Sequence, residues 1–217
     1  MEKKRNKKTC KNCKERFQPE RDMIEPLCSV ECAIEWNRKV REKNIEKKKR
    51  EVKKVVEKER REWHLKNDKL SVFEKRLQDE VNAIVRLIDY GQPCISCKEY
   101  PKKPHAGHYH SRGANKALAY HLHNEHIQCY QCNERKGGNI ILYNKGLIEI
   151  YGKDYKEYVE YDLVKDHKSL NLTRWELIEF QKKASELKKE LQGIDNVYDS
   201  KTRLQLRDYY NNLLGIY

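Results

Sequence analysis

A mostly helical α+β fold, held by small zinc modules in place of one large core, is what this chain predicts. Three observations lead there. Two sets of four cysteines, Cys10, Cys13, Cys28 and Cys32, then Cys94, Cys97, Cys129 and Cys132, have the pairwise spacing of tetrahedral zinc ligands. Charged residues make up 37% of the 217 residues, as many as the hydrophobic ones, and the mean hydropathy is -1.07, so apolar surface for a core is scarce. Around the cysteines run segments whose apolar or charged residues recur at helical spacing.

The charge points to a class of partner. A formal net charge of +13 and an isoelectric point near 9.2 favour a polyanion, and nucleic acid is the default. Residues 1–66 hold 23 Lys and Arg against 13 Asp and Glu, so a surplus of ten sits in the N-terminal third. No apolar run reaches membrane-spanning length, and the start, MEKKRNKK, lacks the apolar stretch of a signal peptide. The expectation is a reducing cytoplasm with no membrane partner, where eight paired cysteines read as two structural Zn2+ sites and not as disulfides.

The elements follow in order. Residues 9–32 form a zinc knuckle: four protein ligands leave no open coordination position, and the metal supplies folding energy that so short a segment cannot gain by burial. From Ala33 to about Asn67, Glu and Lys/Arg at i,i+4 spacing, with neither Gly nor Pro, predict a long solvated helix. It reads either as a spacer or as a basic arm lying along phosphates. SVFE at 71–74 is a capping box with Ser71 as N-cap, and Val72, Phe73, Leu77, Val81, Ile84, Val85 and Ile88 give the helix an apolar face. Gly91 and Pro93 end it and deliver the chain to Cys94.

Between Cys94 and Cys132 lie six of the eight histidines, left free for chemistry once zinc holds both ends. A helical segment follows Cys132, broken at Gly137 and Gly138 and continuing through Ile140 to Tyr151, with another over Asp154–Val164. TRWEL opens a further helix with a Thr173–Glu176 capping box. Residues 193–217 read only as a C-terminal extension. The chain thus divides into a zinc knuckle (1–35), a charged basic helix or linker (36–70), a zinc-stapled domain with flanking helices (71–192) and that extension.

The strings CISC at 94–97, AGHY at 106–109, SRGA at 111–114, N-x-H-x-Q-C-x-x-C-N at 124–133 and GGN at 137–139 resemble the HNH nucleases. Within these the chain is most similar to the phage NinG/Rap group of recombination endonucleases, over most of residues 9–192. The resemblance implies an HNH-like ββα-metal core, a short hairpin followed by a helix, inside the zinc-stapled domain. It makes His108 the general base, for which an imidazole with an ordinary pKa near ~6.5 is suited. Asn124 corresponds to the asparagine that orients loop and base. Asn133 stands where a histidine usually ligates the metal, and an amide oxygen there fits Mg2+ or Mn2+ better than zinc. Many HNH enzymes have an acidic metal ligand just before the base, where this chain has Gly107, so His105 and His123 are the candidate replacements. His126, Arg112, Arg135 and Lys136 are candidate DNA contacts, while Tyr109 and Tyr143 read as core.

The implied function is a structure-selective DNA endonuclease, phage or prophage encoded, cutting branched recombination intermediates such as Holliday junctions and D-loops in the host cell. A symmetric junction calls for two active sites, which a homodimer would supply, and other phage recombination proteins are further expected partners. Two alternatives stand beside it. One is a zinc-dependent DNA-binding or recruitment protein without cleavage, favoured by Gly107 and Asn133. The other is a sequence-specific HNH endonuclease, against which stands the lack of a recognisable helix-turn-helix.

Overall fold

The computed structural model describes residues 6–19, 26–167, 169–193 and 196–217. Most of the MEKKRNKK start and residues 20–25 of the first cysteine segment lie outside the described residues. The chain divides into two units, Met1–Asn67 and Asp68–Tyr217.

In the first unit, β1 (Lys8–Thr9) pairs antiparallel with β2 (Arg16–Phe17) around a tight turn bearing Cys10 and Cys13. Helix α1 (Val30–Asn67) then runs 38 residues with none buried. Its exposed Glu–Lys/Arg pairs at i,i+4, such as Glu35–Lys39 at 2.9 Å, each add little, as solvated ion pairs do. The beginning of α1 is fastened better: Asn12, in the cysteine turn, donates to Glu35 at 2.8 Å and accepts from Lys39 at 2.9 Å.

The second unit is built on α2 (Leu70–Ile88) packed against α6 (Arg174–Leu191). Phe73, Leu77, Val81, Ile84, Val85 and Ile88 are all buried, so the apolar face read from the sequence is the core face. The start of α2 differs from expectation. Lys69, not Ser71, is the N-cap, it makes no side-chain cap bond, and Ser71 lies inside the helix. The turn is set earlier because Asp68 is held by Arg76 at 2.8 Å and its carbonyl by Arg174 at 3.0 Å. The capping box of α6 forms as expected: Thr173 Oγ1 accepts from Glu176 N, and the Glu176 carboxylate accepts from Thr173 N at 2.7 Å.

Against α2 lies a hairpin, β3 (His105–His108) antiparallel to β4 (Glu125–Gln128), with His105 opposite Gln128 and His108 opposite Glu125. A π-turn over Gln131–Arg135 follows, then α3 (Ile140–Tyr151), α4 (Lys153–Glu157) and α5 (Leu163–Asp166). Tyr109, Tyr143, Leu147, Val159 and Leu163 pack with Ile95 into a second small core. Gly146 is required there, because a Cβ would stand 1.9 Å from the Ile95 carbonyl.

The last residues are no appendage. Helix α7 (Ser200–Leu214) buries Arg203, Arg207, Tyr210 and Leu214, and Ile216 completes the same core as α2 and α6. An amphipathic reading misses this face because two of its buried residues are arginines, paired with Asp89 at the end of α2. Among the described residues no helix is long and apolar enough to cross a membrane.

Candidate active site and metal centres

Both cysteine sets converge. In each, the four Sγ atoms lie within 4.8 Å of one another, a spacing that one tetrahedral zinc ion can span. The two sets share a turn as well as a string, C-x-x-C-K-E. Cys10 N donates to Glu15 O at 2.8 Å and Cys94 N to Glu99 O at 2.9 Å. Lys14 and Lys98 both take left-handed φ, 68° and 64°, and close each turn onto the first cysteine's carbonyl. Asn139 Nδ2 points a donor at Cys132 Sγ, 3.3 Å away, which favours a thiolate ligand. The residues fit structural zinc in both places.

The second tetrad clamps the open end of the hairpin, and His108 sits toward its other end. The ring is mostly buried, its side chain 13% exposed. Its Nε2 lies 3.1 Å from the Ala119 carbonyl and 3.3 Å from Glu125 Oε1, while Nδ1 has no hydrogen-bonding partner among the described residues. Glu125 is fully buried and also accepts from Gln78 Nε2 at 3.1 Å. Burial disfavours the imidazolium, but the Glu125 carboxylate and the Ala119 carbonyl outweigh it, so the His108 pKa is raised. The arrangement places the proton on Nε2 and leaves Nδ1 as a proton acceptor.

Asn124 holds this geometry at one remove. Its Oδ1 accepts from His110 N at 2.8 Å, and its Nδ2 donates to the carbonyls of His110 and Leu118 at 3.0 and 3.1 Å. Those bonds pin both ends of the loop that carries Ala119. Ala119 and Gln78 also line a cleft of about 140 Å³ whose rim carries the exposed Arg112 and Lys116. Glu125 and Gln78 did not emerge from sequence reasoning. Glu125 comes across from His108 only through the strand register, which no local pattern in the sequence gives.

The other named residues fall elsewhere. Strand alternation turns His105 to the face opposite His108, about 10 Å along the strand. There it meets Asn133, with Nδ1 3.4 Å from Asn133 Nδ2 and 3.7 Å from Glu134 Oε1. His123 is not part of that group: its ring nitrogens are taken by Tyr155 at 3.0 Å and Asp208 at 2.9 Å. His126 is not a DNA contact, since it is 1% exposed and hydrogen-bonded to Tyr143 and Tyr155. Arg135 and Lys136 are exposed, with Arg135 over the Tyr130 ring. A Cβ at Gly107 would stand 2.0 Å from Gln128 Oε1, so an acidic residue there would have to displace the Gln128 side chain. Gln128 ties the hairpin to Ser96 and to the Gly138 carbonyl, both at 2.7 Å.

The buried histidines carry a stability consequence. Burial, then His123 and His167, lower the His121 pKa to about 3, and burial holds His126 well below its ordinary value. In the unfolded chain both titrate near ~6.5 and therefore bind protons the folded state refuses. Stability should be fully present above that value and fall as pH drops from about 6 toward 3. Urea midpoints measured across this range test it, and midpoints independent of pH down to 4 would refute it.

Together these features define a mostly helical α+β protein with two cysteine tetrads suited to zinc and a histidine-bearing hairpin clamped by the second. The sequence profile of the family described as Bacteriophage Lambda NinG protein matches residues 2–194, and the chain belongs to that family. Protein ninG of Escherichia phage lambda is 32% identical over 210 residues, spanning 88% of this chain and 94% of that protein. Protein ninG of Salmonella phage P22 is 34% identical over 206 residues, 84% of this chain and 94% of its own length. The corresponding protein of Escherichia phage 933W is 31% identical over 171 residues, 71% of this chain and 80% of its own. No solved structure matches the chain.

Proposed function

We propose that this protein is an HNH-type DNA endonuclease that hydrolyses phosphodiester bonds in branched recombination intermediates. The observation that carries the reading is His108, with Nε2 engaged by Glu125 and Ala119, Nδ1 free, and Arg112 and Lys116 on the adjoining cleft. Nδ1 removes a proton from water as its oxygen bonds to phosphorus. The P–O3′ bond breaks, the 3′ oxygen leaves with the bonding pair and takes a proton from solvent, and the two cationic side chains offset charge on the phosphate. Asn124 is a positioning residue, acting through the Ala119 loop. The branched substrate comes from the resemblance to recombination endonucleases, and the +13 charge supports a DNA partner.

The expected Mg2+ or Mn2+ fits less well. His105, Asn133 and Glu134 offer nitrogen and oxygen donors suited to such an ion, but on the hairpin face away from His108. That set and the base cannot contact one phosphate in this conformation. This separation favours the second reading, a zinc-dependent DNA-binding or recruitment protein that does not cut.

Cleavage of a labelled four-way junction and a matched linear duplex, with Mg2+ or Mn2+, decides between them. His108→Ala should lose about 10²–10⁴-fold in rate with binding retained. Because the base works deprotonated, the wild-type rate should rise with pH through a value above the ordinary histidine range. Glu125→Gln removes the charge that raises the His108 pKa and should move that inflection down. Tight binding with no cutting by the wild type in either metal would leave only the binding reading.

A further inference from the structure

The lining of the cleft beside His108 is of two kinds. One is apolar, made by Tyr120, Leu170, Leu172 and Leu177. The other is polar, with Gln78 and Glu74, and the cationic pair Arg112 and Lys116 stands at the mouth. Gln78 is 3% exposed; one end of its amide lies 2.7 Å from the Asn82 amide and 3.1 Å from Glu125 Oε1, while the other end has no hydrogen-bond partner among the described residues. A buried amide end left unpaired is costly, so a ligand that brings a polar edge to it would be favoured. The volume, about 140 Å³, is well below the ~300–1,000 Å³ of sites for drug-sized ligands. It suits one planar ring system, and a whole nucleotide would not fit.

We propose that the cleft receives a single unpaired nucleobase at a DNA branch point and thereby selects branched over continuous duplex substrate. This rests on the DNA-cleaving reading of the same site. The leucines and Tyr120 take the faces of the ring, the unpaired end of the Gln78 amide meets its polar edge, and Arg112 and Lys116 take the flanking phosphates. Extruding a base costs least where it has already lost its pairing partner, which is the case at a fork or junction and not within a duplex.

The experiment uses the full chain with a forked DNA carrying 2-aminopurine at the branch, in buffer without Mg2+ or Mn2+, reading emission and anisotropy in one sample. The expected result is an emission rise on binding that Leu172→Trp, which fills the cleft, removes. An abasic residue at the same position should weaken wild-type binding on the order of tenfold. That comparison needs no variant and so stands even where Leu172→Trp fails to fold. Anisotropy that shows binding while emission stays flat and the abasic DNA binds equally well overturns the cleft and leaves the endonuclease reading intact. An emission rise that persists in a folded Leu172→Trp also overturns it. Failure to bind forked DNA at all overturns both.

Discussion

Arg207→Ala should destabilise the second unit by about 3–5 kcal/mol, the usual consequence of stranding one member of a buried ion pair. Arg207 and Asp89 are both fully buried, with Nη2 2.8 Å from Oδ2. The same guanidinium donates to the carbonyls of Leu122 at 3.1 Å and Glu125 at 3.2 Å, and Asp89 accepts from Ile127 N at 3.0 Å. One contact set thus joins the end of α2, the turn before Asn124, strand β4 and helix α7. Truncation leaves Arg203, 3.4 Å away, as the one cationic partner of the Asp89 carboxylate among the described residues, and frees two buried carbonyls. Asp89→Ala should cost a similar amount, and the double variant less than the two single losses combined, because each partner's worth depends on the other. For a unit of this size the melting temperature should fall on the order of 10 °C. Denaturant unfolding of the four proteins measures the cycle. A single-variant loss under about 1 kcal/mol, or strict additivity, would show that the pair does not carry the fold.

That pair also marks where the sequence stopped being legible. The α2 face, the α6 capping box and the break at Gly137–Gly138 follow from local spacing and propensity, and the structure has them. The tetrads were legible because Cys-x-x-C confines two ligands to one turn. α7 was not, since its core-facing positions include Arg203 and Arg207, and periodicity assigns such residues to solvent. Within the site, His108 and Asn124 could be named from their strings, yet their partners could not. Glu125 needs the strand register, and Ala119 needs the loop path that Asn124 fixes. Of the candidate metal ligands His105, His123 and Asn133, His105 and Asn133 meet on the hairpin face away from the base His108, because residues three apart on a strand face opposite sides. His123 is further withdrawn by Asp208, a residue of the helix that the sequence had left unassigned.

Removing zinc should divide the molecule along the same lines. Metal analysis of the purified protein should find two zinc ions per chain, and Cys13→Ser and Cys97→Ser should each lose one. Their structural effects should differ sharply. In the first unit α1 has no buried residue, so the knuckle depends on its metal almost alone. Cys13→Ser should dissolve the β1–β2 ladder and loosen the Asn12 contacts while the main unfolding transition stays within a few degrees. The second tetrad is tied into the core: Ile95 N donates to Ile127 O at 2.9 Å, Ser96 accepts from Gln128 at 2.7 Å, and α3 lies against the knuckle at Gly146. Zinc binding in peptide fingers is worth about 10–16 kcal/mol, most of it expressed as folding. Cys97→Ser should therefore release the open end of the β3–β4 hairpin, raise amide exchange across residues 105–128 and loosen the His108–Glu125 contact. The α2–α6 pairing keeps its own apolar core and should hold part of the helical signal. Exchange measured segment by segment separates the two variants. Protection of residues 105–128 unchanged in a zinc-depleted Cys97→Ser protein would mean that the hairpin stands without its metal.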